Sequence, residues 1–512
     1  MDRQEQHYAK SSLYNTVSSI VLQFVVMLIG LILPKLYIVA YGSEVNGLVT
    51  SITQFISYFT IVEAGLASAG VNALYEPLVG KDTAKVSSVL SAIKKFYFQI
   101  GYIFCGLVFG LALFYPLFVS VEGFGYFDIA VLVFVLGLQG AIDFFTLSKY
   151  RALLTADQKY YVLANASIIA YIVNFVTVYI AIQKGLGITV VRTLALTLYI
   201  VRSILVNLYV WKRYRYLDQK AVPDSLALNK RWDAMILQIL GLAQTSMPVI
   251  ILTVFSKDLA SVSVYAIYNL VASNIISLLF TVTNGVSATL GTVLALGEHQ
   301  RFVKMYRIYE MFFLMATAIV YSCVLVMYIP FIKIYTSGIT DFEYVYPMTA
   351  ILFTLNGVMY NLKTPAGTLI GAAGVFKETK KGTIIQTVIA GGACVALTPF
   401  WGINGLLLGL ILSNLYRDIE LVLFMNKKVV KTSSFHSFKN MVLCLLVCVV
   451  MGLLGTCAEI DSNGYVEWAA HAVIALICAT AVSVVVFFLC NRQFFIRGIK
   501  QFIGFLERRW RK

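Results

Sequence analysis

The sequence predicts an all-α integral membrane protein of about 14 transmembrane helices. They are expected as two six-helix lobes related by a pseudo-two-fold axis along the membrane normal, plus two C-terminal helices. Three observations carry this expectation. Hydrophobic residues are 59% of the 512 and charged residues only 13%, whereas soluble chains hold about 45–50% apolar residues. Apolar runs near the ~20 residues that cross ~30 Å of hydrocarbon recur from end to end. Of the 40 Lys and Arg, 32 fall in connections that alternate spans place on one membrane face, the signature of the positive-inside rule.

The spans follow in order, with boundaries good to several residues. The first half reads at roughly 13–34, 45–72, 97–119, 128–148, 162–182 and 188–210, and the second at roughly 233–255, 262–290, 310–330, 345–366, 383–399 and 404–425. An extra pair lies at roughly 441–457 and 468–490. The first run is preceded by the polar stretch Met1 to Ser12 and is not closed by a small-residue cleavage pattern, so it is expected to stay as a helix. The inner connections carry Lys81, Lys85, Lys94 and Lys95, then Lys149, Arg151 and Lys159, then the basic stretch from Trp211 to Arg231. The second half repeats this with Arg301, Lys304 and Arg307, with Lys377, Lys380 and Lys381, and with Lys427, Lys428, Lys431 and Lys439. Outer connections carry Glu44, Glu122, Asp258, Asp341, Glu343, Glu459, Asp461 and Glu467. Both termini are therefore expected in the cytoplasm, and the net charge of +15 needs no nucleic acid as partner. All five Trp sit at span ends or in connections, where an amphipathic ring prefers the interface.

Other chemistries find little support. The eight Cys lie within or at the ends of apolar runs without CxxC spacing, and no two of the four His have metal-ligand spacing, so neither a zinc or redox site nor another metal site is expected.

Shifted by about 216 to 220 positions, the halves echo each other. Glu63-Ala64-Gly65-Leu66-Ala67 closes the second span as Thr283-Asn284-Gly285-Val286-Ser287 closes the eighth, and Leu153 to Lys159 closes the fourth as Leu369 to Lys377 closes the tenth. The expected domains are an N-terminal lobe (1–215), a C-terminal lobe (216–430), two additional helices (431–490) and a basic amphipathic cytoplasmic tail (491–512). Two bundles that rock against each other are the machinery of alternating access, so transport leads and no enzyme activity is expected. In the tail, Phe494, Phe495, Ile499, Phe502, Ile503 and Leu506 form an apolar stripe beside Arg497, Lys500, Arg508 and Arg509. That pattern suits a helix on an anionic leaflet, or equally one trailing the final span.

Eight cations lie off the inner face. Arg202 and Arg417 are some ~20 Å deep, counted at ~1.5 Å per residue, where a charge costs at least ~2.5 kcal/mol unless it faces a wet cavity or a partner. Lys363 is also deep, whereas Arg192 and Lys35 lie nearer the outer ends of their spans and read as interfacial anchors or cavity residues. Lys184, Lys257 and Lys333 read as outer-loop residues. The buried acids are Glu63, Asp143, Asp418 and Glu420. One reading pairs them with the cations, Arg417 with Glu420 one turn on. The other places Arg202, Arg417, Lys35, Arg192 and Lys363 around an anion, with phosphate matched to the guanidinium fork. Glu63 and Asp143 are then either ion-coupling acids, for protons or sodium, or structural salt-bridge partners.

Tyr41-Gly42-Ser43-Glu44-Val45-Asn46-Gly47-Leu48, Glu63-Ala64-Gly65-Leu66 and Leu74-Tyr75-Glu76-Pro77-Leu78 resemble the bacterial polysaccharide flippases of the multidrug/oligosaccharidyl-lipid/polysaccharide (MOP) superfamily, especially the Wzx-like oligosaccharide repeat-unit translocases. The likeness covers most of the chain, including Tyr150-Arg151 to Tyr160 and Ile329 to Tyr344. It implies a multi-pass protein of the bacterial cytoplasmic membrane that moves a polyprenyl-pyrophosphate-linked oligosaccharide from the inner to the outer leaflet. Membrane lipids, a polysaccharide polymerase and glycosyltransferases are the implied partners. Only Lys35, where relatives often have Arg, and Glu63 carry over from its motifs. A drug or metabolite exporter of the same superfamily, or a membrane glycosyltransferase or polymerase, are the alternatives. The former would prefer acids in its cavity, and the latter would need acids near a sugar-phosphate or a large outer loop.

Overall fold

The computed structural model describes all residues except 1–2, 64–65, 219–220, 225–230, 257, 457–461, 463 and 511–512. Ala64 and Gly65 of the quoted motif, Lys220, Lys230, Lys257, Cys457, Glu459, Asp461, Arg511 and Lys512 lie outside the described residues. Among those described, regular structure is helical, with one isolated bridge between Val121 and Phe124. Ten helices are long and apolar enough to cross a membrane. Dividing the longest at a turn and adding three shorter helices agrees with about 14 spans, so this is an all-α, multi-pass membrane protein.

Two compact units form, one of residues 1–253 with 257–263 and one of 254–256 with 264–512. The first holds α1 (Arg3–Tyr41), α2 (Ser43–Phe59), a 3-10 turn (Thr60–Glu63), α3 (Leu66–Val79) and α4 (Thr83–Phe114). It continues with α5 (Tyr126–Ile142), a π turn (Asp143–Leu147), α6 (Ser148–Ala156), α7 (Tyr160–Gln183), α8 (Ile188–Leu194), α9 (Thr197–Arg213) and most of α10 (Arg231–Phe255). α1 and α9 flank α7, α5 lies along α4, and α3 fits between α4 and α6. Glycines set the α4–α5 approach, because a Cβ on Gly137 or Gly140 would overlap Val108 or Phe104.

The second unit holds most of α11 (Leu259–Ala295), then α12 (His299–Tyr335), α13 (Pro347–Leu362), α14 (Thr364–Ala373), α15 (Phe376–Met425), a π turn (Asn426–Val430), α16 (Phe435–Thr456) and α17 (Tyr465–Trp510). α12 is its hub, packing on α13, α16 and α17 through a core that includes Phe302, Met311, Leu314, Tyr321, Val447 and Phe487. α15 is a hairpin of two helices turned at Gly402, whose φ of 53° and ψ of −129° exclude L side chains. The arms touch so closely that a Cβ on Gly405 would overlap the Leu397 carbonyl. Buried Cys394, Cys444 and Cys448 serve as small packing residues.

Two features differ from the pattern expected of the sequence. The basic stretches expected as connections are largely helical: α4 starts at Thr83, capped by Asp82, which accepts from the Lys85 N–H at 2.9 Å, and α12 and α15 start at His299 and Phe376. Lys, Arg and Glu are good helix formers, so a helix does not stop where its apolar run does. Four expected continuous spans are also interrupted, at Thr60–Glu63, Asp143–Leu147, between Leu194 and Thr197, and at Lys363. The last has a plain cause, since Pro365 in the first turn of α14 lacks the N–H that a continuous helix would donate to the Asn361 carbonyl. Past a kink at Asn491 (φ −131°, ψ 34°), α17 runs on with Phe495 buried against Phe312 and Phe488. The tail thus begins as an extension of the last span, while the side chains of Phe502, Ile503, Leu506, Arg508 and Arg509 lie outside the described residues.

Candidate functional site

The breaks in the helices gather the buried charges. Glu63 ends the 3-10 turn after α2, Asp143 opens the π turn between α5 and α6, Arg192 sits in the last turn of α8, and Lys363 occupies the break between α13 and α14. Non-helical backbone at membrane depth is tolerated where protein buries it or water reaches it, so polar side chains collect there.

In the first unit Asp143 is the centre. One carboxylate oxygen takes Nη2 of Arg151 from α6 and the other takes Nη2 of Arg202 from α9. Arg151 also lies 3.8 Å from Glu63, which accepts from the Tyr97 hydroxyl at 2.9 Å. Two acids therefore face two guanidinium groups and the cluster is neutral. Its side chains keep 17–36% of their surface exposed, so it is not sealed. Arg202 lies 5.3 Å from the Tyr199 ring, and its Nε has no hydrogen-bond partner. Arg192 stands on the Tyr37 ring at 3.8 Å, also with a buried Nε lacking a partner. Lys35 is half-buried one turn beyond Leu31 on α1, next to Pro34.

The second unit has its own cluster. Lys363 donates to Asn414 Oδ1 at 2.6 Å, and Asn414 in turn donates to Asn356 at 3.0 Å. Arg417 pairs with Glu420 and donates to Thr383 Oγ1 at 3.1 Å; at 3% exposure it is sealed far more completely than Arg202. Gly382 makes room for that pair, since a Cβ there would overlap both charged groups. Asp418, 1% exposed, lies against Lys363 with neither carboxylate oxygen in a full hydrogen bond.

The two clusters repeat with reversed sign. An offset of 220 carries Asp143 onto Lys363, and 216 carries Arg202 onto Asp418. At each broken helix the charge faces a later helix of its own unit: Asp143 pairs with Arg202, and Lys363 donates to Asn414, with Asp418 one turn on from it.

Arg202 and Arg417 are thus each engaged by a carboxylate, as the pairing alternative has it, and the cation excess within these clusters vanishes. Arg151 was counted as an inner-face charge, yet it completes the first cluster. A second residue treated that way, Arg307, is 5% exposed and fully engaged: it donates to Glu310, Ser437, Asn426, Thr432 and the Ser433 carbonyl at 2.7 to 2.9 Å. Its i,i+3 spacing to Glu310 was the available signal. This network joins α12, the π turn after α15 and the start of α16.

No protein-family model matches the sequence, and no curated protein matches it. Solved structures do. The chain is similar to the lipid II flippase MurJ in an inward-closed conformation, with a TM-score of 0.63 and 14% identity over 93% of this chain and 99% of that one. It is similar to an inward-facing multidrug resistance MATE family transporter of the MOP superfamily, with a TM-score of 0.66 and 14% identity over 80% of this chain and 95% of that one. A eukaryotic MATE transporter matches with a TM-score of 0.53 and 15% identity over 86% of this chain and 99% of that one. The chain shares the fold of these transporters.

Proposed function

We propose that the protein is a flippase that moves polyprenyl-pyrophosphate-linked oligosaccharide repeat units from the inner to the outer leaflet of a bacterial cytoplasmic membrane by alternating access. One observation carries the reading. The fold shared with a lipid II flippase leaves only 7% of this chain unmatched, a smaller share than α16 and α17, whereas the two MATE likenesses leave 14% and 20%. A lipid-linked anionic cargo is thus favoured over a soluble drug.

In this mechanism the protein exposes the lipid-linked headgroup to each side of the membrane in turn. Arg192 and Arg202, each with an Nε that has no protein partner, donate to the pyrophosphate with Lys35 nearby on the same unit, whereas Lys363, which donates to Asn414, and Arg417, sealed against Glu420, are already engaged within the second unit. Binding would draw Arg202 from the carboxylate that it shares with Arg151, so Arg202 exchanges Asp143 for the pyrophosphate while Asp143 keeps Arg151. Glu63 and Asp143 serve as structural partners, the neutrality of their cluster supporting this over proton or sodium coupling. Export would hand the repeat unit to a polysaccharide polymerase and draw on glycosyltransferases.

The test uses vesicles holding purified protein and a fluorescent lipid-linked oligosaccharide. Relocation of label to the opposite leaflet with no new glycosidic bond is expected, slowed at least about tenfold by Arg192→Ala or Arg202→Ala, since a lost charge-assisted bond is worth about 1.5–3 kcal/mol. Unchanged relocation in both variants at normal expression overturns the anion site, and export of a cationic drug with no movement of the lipid favours the exporter.

A further inference from the structure

A second basic site lies in the first unit, away from the Asp143 cluster. A cavity of about 530 Å³ opens between α4, α6, α9 and the connection that follows α9. Ser87, Ser91 and Lys94 line it from one face of α4, at spacings of four and three that put them in one row. Lys149 comes from α6, Asn207 from α9, and Arg215 from the connection. The only acid in the lining is the exposed Asp218, whose backbone N–H donates to Ser87 Oγ at 3.1 Å.

The two lysines are half-buried. Each lies over an aromatic ring, Lys94 5.9 Å from Phe98 and Lys149 4.5 Å from Tyr150. Among the described residues neither has a carboxylate within salt-bridge distance. The described part of the connection is tied to the helices at two points. Ser88 donates to the Val222 carbonyl at 2.6 Å, and Tyr214 donates to Asp157, which also takes Lys159 at 2.6 Å. Burial and that carboxylate keep the Tyr214 phenol protonated well above its ordinary value. The rim is apolar and exposed, with Trp211 at 71% and Leu208 at 56%. A basic floor under an apolar rim at the cation-rich end of the helices matches an amphiphile whose head is an anion and whose chains lie along the outside of α9.

We propose that this cavity binds the phosphate of an anionic membrane phospholipid, gripped by Lys94, Lys149 and Arg215, with Trp211 against the glycerol and upper chains. The site is separate from the pyrophosphate residues of the transport cycle and needs no flippase activity to be tested. The basic bias of its connections assigns it to the inner leaflet.

Purified full-length protein, delipidated and then incubated with phosphatidylglycerol or phosphatidylcholine, is analysed by native mass spectrometry. Wild type should retain phosphatidylglycerol preferentially. Lys94→Gln with Lys149→Gln should weaken that retention about tenfold, while Lys94→Arg with Lys149→Arg and a distant control, Lys427→Gln with Lys428→Gln, retain it. Thermal unfolding of each variant checks that the fold survives. Inorganic phosphate added in excess should compete weakly, because it lacks the chains. Equal retention of both lipids, retention unchanged by the double Gln variant, or full displacement by inorganic phosphate each overturns the proposal. If the Gln variant does not fold, retention lost in the single Lys149→Gln variant supports it, and retention kept there overturns it.

Discussion

Asp143→Asn should destabilise the protein by about 3 kcal/mol, because it leaves Arg202 half-buried without a counter-charge and Arg151 with only Glu63 at 3.8 Å. Thermal unfolding in detergent reads the loss, and Asp143→Asn with Arg202→Gln should recover part of it, as coupled partners do. Arg307→Lys should cost a similar amount although the charge is kept, since one ammonium cannot reproduce a fork that reaches five partners on three elements. The charges themselves were legible from depth along an apolar run, and so was the Arg417–Glu420 pair, three residues apart. Asp143 and Arg202 are 59 residues apart, and Arg307 and Ser437 are 130 apart. Nothing local in a sequence announces such partners. Arg151 and Arg307 were misjudged because a cation beyond the end of an apolar run reads as solvated until a neighbouring helix is seen to cover it.

Among the elements, the turn in α15 gives a direct test. Gly402→Ala places a Cβ on backbone at φ 53°, ψ −129° and should cost about 1–3 kcal/mol, read as a lowered unfolding temperature. Gly382→Ala should also destabilise, by about 1–3 kcal/mol, because the Arg417–Glu420 pair must move aside. Its matched control is Gly392→Ala on the same helix, where a Cβ meets nothing within 4 Å, and helix propensity should make that change neutral or favourable by about 0.5–1 kcal/mol. Spans were legible because hydrocarbon thickness dictates length. Their interruptions were not, except where Pro365 marks one. The π turn at Asp143–Leu147 has no breaker in its sequence, Asp-Phe-Phe-Thr-Leu. Its distortion is held by Arg151 and Arg202 from other helices, with the Ser148 hydroxyl donating to the Asp143 carbonyl at 3.1 Å.

For the whole molecule, the charge bias predicts topology. A periplasmic-reporter enzyme fused after Ile339 should be active, and one fused after Lys431 or at the C-terminus inactive; the reverse pattern would invert the proposed orientation. The sequence by itself determined the solvent of the protein and the number of its crossings. Both are set by local composition against a slab of fixed thickness, and the charge bias gives the orientation that the reporter fusions test. Only the tertiary structure decided which helices break and that acids at depth neutralise Arg202 and Arg417. It alone revealed a separate basic cavity in the first unit. Those features depend on which side chains face each other across packed helices, and pairings between residues far apart in the chain exist only once the bundle has formed.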